Sequence, residues 1–222
     1  MLEKLPDMLG HALRDQRAGL DQIAFNRISA GAGTAALQMR SLAFVDHGPI
    51  PAQYTADGAG ISPPLEWFGV PPGTASLLLI VEDADAPTPH PLVHAIVLDL
   101  PPADGTLPEG ALKSPDHAGQ GYHTGRNSYL RTGWLPPDPP PGHGVHRYCF
   151  QLFALDVQPE LSGTPGRDAV LDLLRQHAIA SGVLIGSYTR ADGSIPVAAD
   201  AVGGTTVTPV ADTEPPAGAQ PG

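Results

Sequence analysis

The chain has 222 residues, with 23 acidic against 12 basic side chains and a formal charge of −11. That balance excludes a general nucleic-acid binder and a cationic membrane-surface protein, since both need Lys or Arg to meet phosphates. One cysteine, Cys149, excludes an intramolecular disulfide and a multi-cysteine metal site. No apolar run reaches the roughly 20 residues a bilayer needs, and no basic segment followed by an apolar block opens the chain. A soluble, cytoplasmic protein with no signal peptide is the expectation.

Residues 1–27 carry Leu5, Met8, Leu9, Ala12, Leu13, Leu20 and Ile23 at helical spacing, which predicts an amphipathic helical extension. It either docks on the domain or serves a partner or a dimer. Residues 28–39, with the stretch Ser29-Ala-Gly-Ala-Gly-Thr34, read as a linker. The main domain is expected over 40–190. Leu42, Phe44 and Val45 suggest its first strand. Ser76-Leu-Leu-Leu-Ile-Val-Glu-Asp83 is a short apolar run ending in two acids and reads as a strand buried on both faces. In the strand 93–100, alternation places His94, Ile96, Leu98 and Leu100 on one face and Val93, Ala95, Val97 and Asp99 on the other.

The long connection 134–144 holds five prolines between Pro136 and Pro141, which forbid a helix or a central strand. The run His146-Arg-Tyr-Cys-Phe-Gln-Leu-Phe-Ala-Leu155 is the clearest strand, with His146, Tyr148, Phe150 and Leu152 on one face. A helix is predicted over 167–181, with Val170, Leu171, Leu174 and Ala178 on its stripe and Gly182 closing it. A last strand follows at 183–188. Residues 191–222 hold four acids, no Lys or Arg and no aromatic, and are expected to be a disordered acidic tail rich in Ala, Gly and Pro. Strands dominate, so the fold class is mainly β.

The chain lacks a nucleophile elbow, a phosphate-binding loop, a zinc-protease helix motif and a dinucleotide fingerprint. Cys149 and His146 sit on opposite faces of their strand, so they form no nucleophile pair, and Cys149 reads as a buried structural thiol. What remains is a constellation at strand ends. If the strands ending at Asp83 and opening near His94 pair antiparallel, these two side chains meet across the loop mouth. His146 and Tyr148 open a further strand. Two imidazoles, a carboxylate and a phenol then ring one small cavity suited to an anionic oxygen. A metal site of two histidines and one carboxylate is the rival reading.

Asp83-Ala-Asp-Ala-Pro87, Leu92-Val-His94-Ala-Ile-Val-Leu-Asp-Leu-Pro101 and Pro139-Pro-Pro-Gly-His-Gly-Val-His-Arg-Tyr148 resemble the phosphatidylethanolamine-binding protein family. The likeness is to its bacterial, Raf-kinase-inhibitor-like branch. Ile61-Ser-Pro-Pro-Leu-Glu-Trp67 and Asn127-Ser128 fit the same pattern, and the opening residues 2–14 are similar to extensions on some bacterial members. The resemblance implies a β-sandwich with Greek-key connections and a few peripheral helices. It also implies a ligand pocket of Asp83, Pro87, His94, Pro139, Pro140, His146 and Tyr148. In that pocket the two histidines would donate to phosphate oxygens, Asp83 would orient a histidine or receive an amine, and Tyr148 would line the wall.

Three residues depart from the family pattern. Leu92 replaces an aromatic and should widen the cavity, Asp138 brings a carboxylate close to it, and Ala84 loosens the Asp83 loop. The leading expectation is a non-catalytic binder of a small anion or phospholipid head group, without cofactor or metal, that modulates a kinase or other partner protein. A hydrolase or metal-dependent enzyme built on His94, His146 and Asp83 is a second expectation. A scaffold acting through the N-terminal helix, with a homodimer open, is the third.

Overall fold

The structure is a computed structural model that describes residues 7–28, 35–112, 122–161 and 163–190. The expected tail at 191–222, the first six residues of the extension and residues 29–34 of the linker lie outside the described residues. The helices are α1 (Asp7–Leu13), α2 (Ala24–Arg27) and α3 (Arg167–His177). The strands are β1 (Ala35–Ala36), β2 (Gln38–Arg40), β3 (Leu65–Phe68), β4 (Ser76–Asp83), β5 (Leu92–Leu100), β6 (Gly105–Leu107), β7 (His123–Thr124), β8 (His146–Leu155) and β9 (Ala178–Tyr188). The fold is mainly β, as the sequence predicts.

Six strands form one sheet in the order β1-β9-β8-β4-β5-β7, and three form a second in the order β2-β3-β6. All pairings are antiparallel except β1 with β9. The pairing of β4 with β8, far apart in sequence, requires the chain to cross over through β6, β7 and the proline-rich loop. Strands β4 and β8 are central and almost wholly buried, which explains their near-continuous apolar runs. One core lies between the sheets. Leu65, Trp67 and Leu107 of the small sheet meet Leu77, Leu79, Val97, Phe150 and Leu152 of the large one there. A second core lies on the other face, where Val170, Leu171 and Leu174 of α3 cover Leu78, Ile80, Ile96 and Phe153.

Several local expectations change. Residues 42–45 form no strand. Leu42 and Val45 are each 75% exposed, and the edge strand is instead β2, paired with β3. The predicted helix over 167–181 stops at His177, because Ala178 already belongs to β9, and Gly182 sits inside that strand. Register with β8 runs from Ala178 opposite Leu155 to Tyr188 opposite His146, and this long ladder outweighs local helix propensity.

The extension is not one helix either. It breaks after α1, turns at Gly19 with φ 98°, makes a short 3₁₀ turn at Leu20–Gln22 and resumes as α2. Long-range bonds within the chain replace the intrahelical ones there: Ala18 N–H donates to Ala86 O (3.0 Å) and Gly19 N–H to Ala84 O (2.8 Å). The extension therefore docks on its own domain. Part of the expected linker is also structured, as β1 and β2.

The faces of β5 depart most from simple alternation. Val81 pairs with Ala95 and Glu82 with Val93, so His94 is an extra residue in the ladder. This bulge turns His94 and Ala95 to the same side. Ala95 and Val97 join the inter-sheet core and Ile96 and Leu98 face α3, on opposite faces as read from sequence, but His94 sides with Ala95 and Val93 with Ile96, against that reading. A second irregularity, with Asp99 at φ 60°, returns Leu100 to the inter-sheet side.

Candidate functional site

The antiparallel pairing of β4 with β5 and β8 gathers three strand ends at one corner. Asp83 lies opposite both Leu92 and Tyr148. A small cavity of about 30 Å³ opens there. Asp83, Pro87, His94, Pro139, Pro140 and His146 line it, together with Ala86, Leu92, Tyr129, Leu135, Pro136 and Asp138. Tyr148 is not on the wall. It is fully buried behind it, with its ring edge-on to His94 (5.1 Å) and stacked on His146 (6.4 Å). Burial, reinforced by Asp83, holds the Tyr148 hydroxyl well above its usual pKa, so it is a neutral phenol.

His146 Nδ1 lies 2.7 Å from Asp83 Oδ2, and His146 Nε2 lies 2.7 Å from His143 Nδ1. His143 Nε2 in turn meets the Leu13 carbonyl at 2.8 Å. That carbonyl only accepts, so His143 Nε2 carries hydrogen. Each of the other two links needs one proton, so the chain from Asp83 to Leu13 holds three protons in all. Asp83 Oδ1 also accepts from the Asp85 backbone N–H at 2.8 Å. Both nitrogens of His146 are therefore engaged within the protein. The expectation that His146 donates directly to a ligand does not match this arrangement.

His94 differs. Its Nδ1 meets the Leu135 carbonyl at 2.6 Å and must donate, which leaves Nε2 with a lone pair in the neutral ring. That Nε2 is buried and without a partner. Burial lowers the His94 pKa from the usual imidazole value, more than Asp83 raises it. Burial, then His146, also lowers that of His143. Both rings are neutral in the fold, whereas in the unfolded chain they take protons near the ordinary value of about 6.5. Their contribution to stability is therefore complete above that value and is lost as pH falls below it. Urea denaturation is expected to give a lower midpoint at pH 5.5 than at pH 7.5; equal midpoints would contradict the buried neutral assignment.

The three departures resolve structurally. Asp138 pairs with Arg190 at 2.6 Å, and Arg190 also grips Asp57 at 2.7 Å, so the carboxylate beside the cavity shares one counter-charge with Asp57. Leu92 lines the cavity, and Tyr129 from the loop after β7 supplies an aromatic wall beside it. The Ala84 loop is held by Arg147 O accepting from Ala84 N–H (3.0 Å) and by Asp85 clamped between Arg147 (2.7 Å) and Arg17 (2.9 Å).

Sequence reasoning missed His143, Tyr129, Leu135 and Arg190. Only His143 left a signal, as the first histidine of the His143-Gly-Val-His146 run. Cys149 is buried among Ile23 and Ala84, its thiol pushed up to about 12 by burial and then by Glu82. Asp83 and His146 are joined by a hydrogen bond, and among the described residues no three His, Cys, Asp or Glu side chains are grouped to hold a metal. No described helix is long and apolar enough to cross a membrane.

A two-sheet β protein with a buried histidine–carboxylate corner is thus the class that fold and site define. The sequence profile of the phosphatidylethanolamine-binding protein family matches residues 40–189, and the chain belongs to that family. It is 40% identical over 157 residues to a UPF0098 protein of Methanothermobacter thermautotrophicus, covering 69% of this chain and 99% of that one. A solved phosphatidylethanolamine-binding protein homologue from Chlamydia trachomatis superposes with TM-score 0.63 at 36% identity, covering 70% of this chain and 98% of its own. Escherichia coli YbcL, described as a member of the mammalian family, gives TM-score 0.65 at 28% identity over 70% and 99% of the two chains.

Proposed function

We propose that the protein binds a small phosphate-type head group, without turning it over, in the cavity lined by Asp83, Pro87, His94, Pro139, Pro140 and His146. The observation that carries this reading is His94 Nε2. Among the described residues lining the cavity, it is the buried side-chain atom without a hydrogen-bond partner. Native proteins rarely leave such an atom unsatisfied, and ligand sites are a common reason when they do. Binding rather than turnover is supported by the state of the nearby groups. The Cys149 thiol is pushed up to about 12 and the buried Tyr148 phenol is held neutral. Neither is an activated nucleophile.

The tautomer of His94 dictates the form of the ligand. A neutral ring offers Nε2 as an acceptor only, so a phosphate oxygen there must bring its own proton or meet a protonated ring. Either way the complex takes up about one proton relative to a phosphate dianion and a neutral ring. Affinity for inorganic phosphate and phosphoethanolamine is therefore expected to rise as pH falls from 8 to 5.5. Calorimetry in buffers of different ionisation enthalpy should read the proton uptake, and His94→Ala should weaken binding at least tenfold and abolish the uptake. Flat affinity across that range, equal binding by His94→Ala, or no wild-type binding at millimolar ligand would overturn the proposal.

A further inference from the structure

The segment from Gly10 in α1 to Gly19 touches both loops that build the cavity, and it does so with more than incidental contacts. Gly10 sits so close to the proline-rich loop that a Cβ there would lie 1.8 Å from the Pro141 carbonyl oxygen. The Leu13 carbonyl accepts from His143 Nε2. Arg17 bonds the Val145 carbonyl (2.8 Å) and the His143 carbonyl (3.1 Å) on one loop, and Asp85 (2.9 Å) on the other. The Ala18 and Gly19 amides then bind the Ala86 and Ala84 carbonyls. The segment thus cross-links residues 83–87 to residues 139–146, the two walls of a cavity of only about 30 Å³.

We infer that residues 10–19 form an intramolecular clamp, latched by His143, which competes with an anionic ligand for His146 and is released by acid. This rests on the phosphate-binding reading of the same cavity. His146 Nε2–H is a donor suited to an anion, and the docked His143 ring holds it at 2.7 Å. Moving His143 away frees that N–H for a phosphate oxygen. The groups facing His143 are His146 and Arg17, with Asp83 behind the first and Asp85, shared with Arg147, behind the second. The Asp83-to-Leu13 chain is complete with three protons. A fourth sets two N–H groups against each other across that 2.7 Å gap and adds a cation beside Arg17. The docked latch is therefore favoured above the ordinary imidazole value of about 6.5 and loses stability as pH falls below it.

The test uses the full chain, inorganic phosphate as probe, and two variants outside the cavity wall. Gly10→Val should lift α1 off the Pro141 loop, and Arg17→Ala should remove the cross-link at a partly exposed position while Asp85 stays paired with Arg147. Both are expected to bind phosphate about tenfold more tightly than wild type at pH 7.5, with a shallower pH dependence. In ¹⁵N-detected ring spectra, the His146 Nε2–H signal should respond to phosphate in the variants. Affinity unchanged or weakened in both folded variants would overturn the clamp. If phosphate binds none of the chains, the ligand reading fails and the clamp is judged by amide hydrogen exchange. Protection at Ala18 and Gly19 should then drop between pH 7.5 and 5.5 in wild type, and protection that persists would overturn acid release.

Discussion

Arg167→Ala is expected to cost about 3–5 kcal/mol of folding stability, because it strands a buried carboxylate. Glu82 is fully buried in β4, and Arg167 Nε meets its Oε1 at 2.6 Å. The other oxygen, Oε2, accepts from the Ala24 backbone N–H (2.7 Å) and from Gln151 Nε2 (2.9 Å). Arg167 also donates to the Gln22 carbonyl at 2.5 Å, so one guanidinium ties the start of α3 to the central sheet and the extension. Without it the two remaining hydrogen bonds stay, but the charge has no partner. Urea denaturation at pH 7.5 should show the loss. The double variant Glu82→Gln, Arg167→Met should recover most of the stability, since it removes both charges together. A single-variant cost below about 1 kcal/mol would mean that the pair behaves like a solvent-exposed one.

Much of the architecture can be read from the residues, and the failures have specific causes. The apolar run 76–83 and the alternating run 146–155 gave β4 and β8 because both strands sit at the centre of the large sheet. The α3 stripe was equally clear, since Val170, Leu171 and Leu174 all face one core. Its C-terminal end was not, because nothing local marks His177 as the last helical residue. The strand partner Leu155 decides it from across the sheet. The faces of β5 were misread for a related reason. A bulge is a property of two strands in register, and one strand's pattern does not contain it. The strand expected at 42–45 failed because Leu42, Phe44 and Val45 do not themselves say which of them finds a core; only Phe44 does.

The corner of the molecule was legible in outline. Asp83, His94 and His146 converge as strand-end reasoning required, and Pro87, Pro139 and Pro140 join them on the wall. The hydrogen bonds were not legible. Which nitrogen of His94 is free depends on the Leu135 carbonyl, and which protons His146 keeps depends on His143 and on a carbonyl of the extension. These are backbone acceptors placed by tertiary structure. They reverse the roles assigned from residue types: His94 Nε2 accepts until a proton arrives, and His146 is occupied. Arg190 stood beyond the last predicted strand with no pattern around it, yet it pairs with Asp138, the carboxylate beside the cavity, while also holding Asp57.

Phe150→Ala should remove about 3–5 kcal/mol of stability and also loosen the histidine corner. Phe150 is 1% exposed, sits between Val81 and Leu184 in the ladder, and stacks on Trp134 at 6.0 Å while touching Phe44 at 5.6 Å. Truncation opens a cavity where the strands cannot close in, because β4 and β9 flank β8 on both sides. Trp134 then loses its stacking face, and Trp134 immediately precedes Leu135, whose carbonyl fixes the His94 tautomer. Phosphate binding should therefore weaken in the folded variant, and the single His94 Nδ1–H signal should broaden or split. Phe150→Leu keeps most of the volume and should cost less than about 1.5 kcal/mol, with the His94 signal retained. Equal losses in the two variants would show that the ring contacts, not the filled volume, hold β8 to its neighbours. An unchanged His94 signal in Phe150→Ala would show that Leu135 is anchored independently of the aromatic stack.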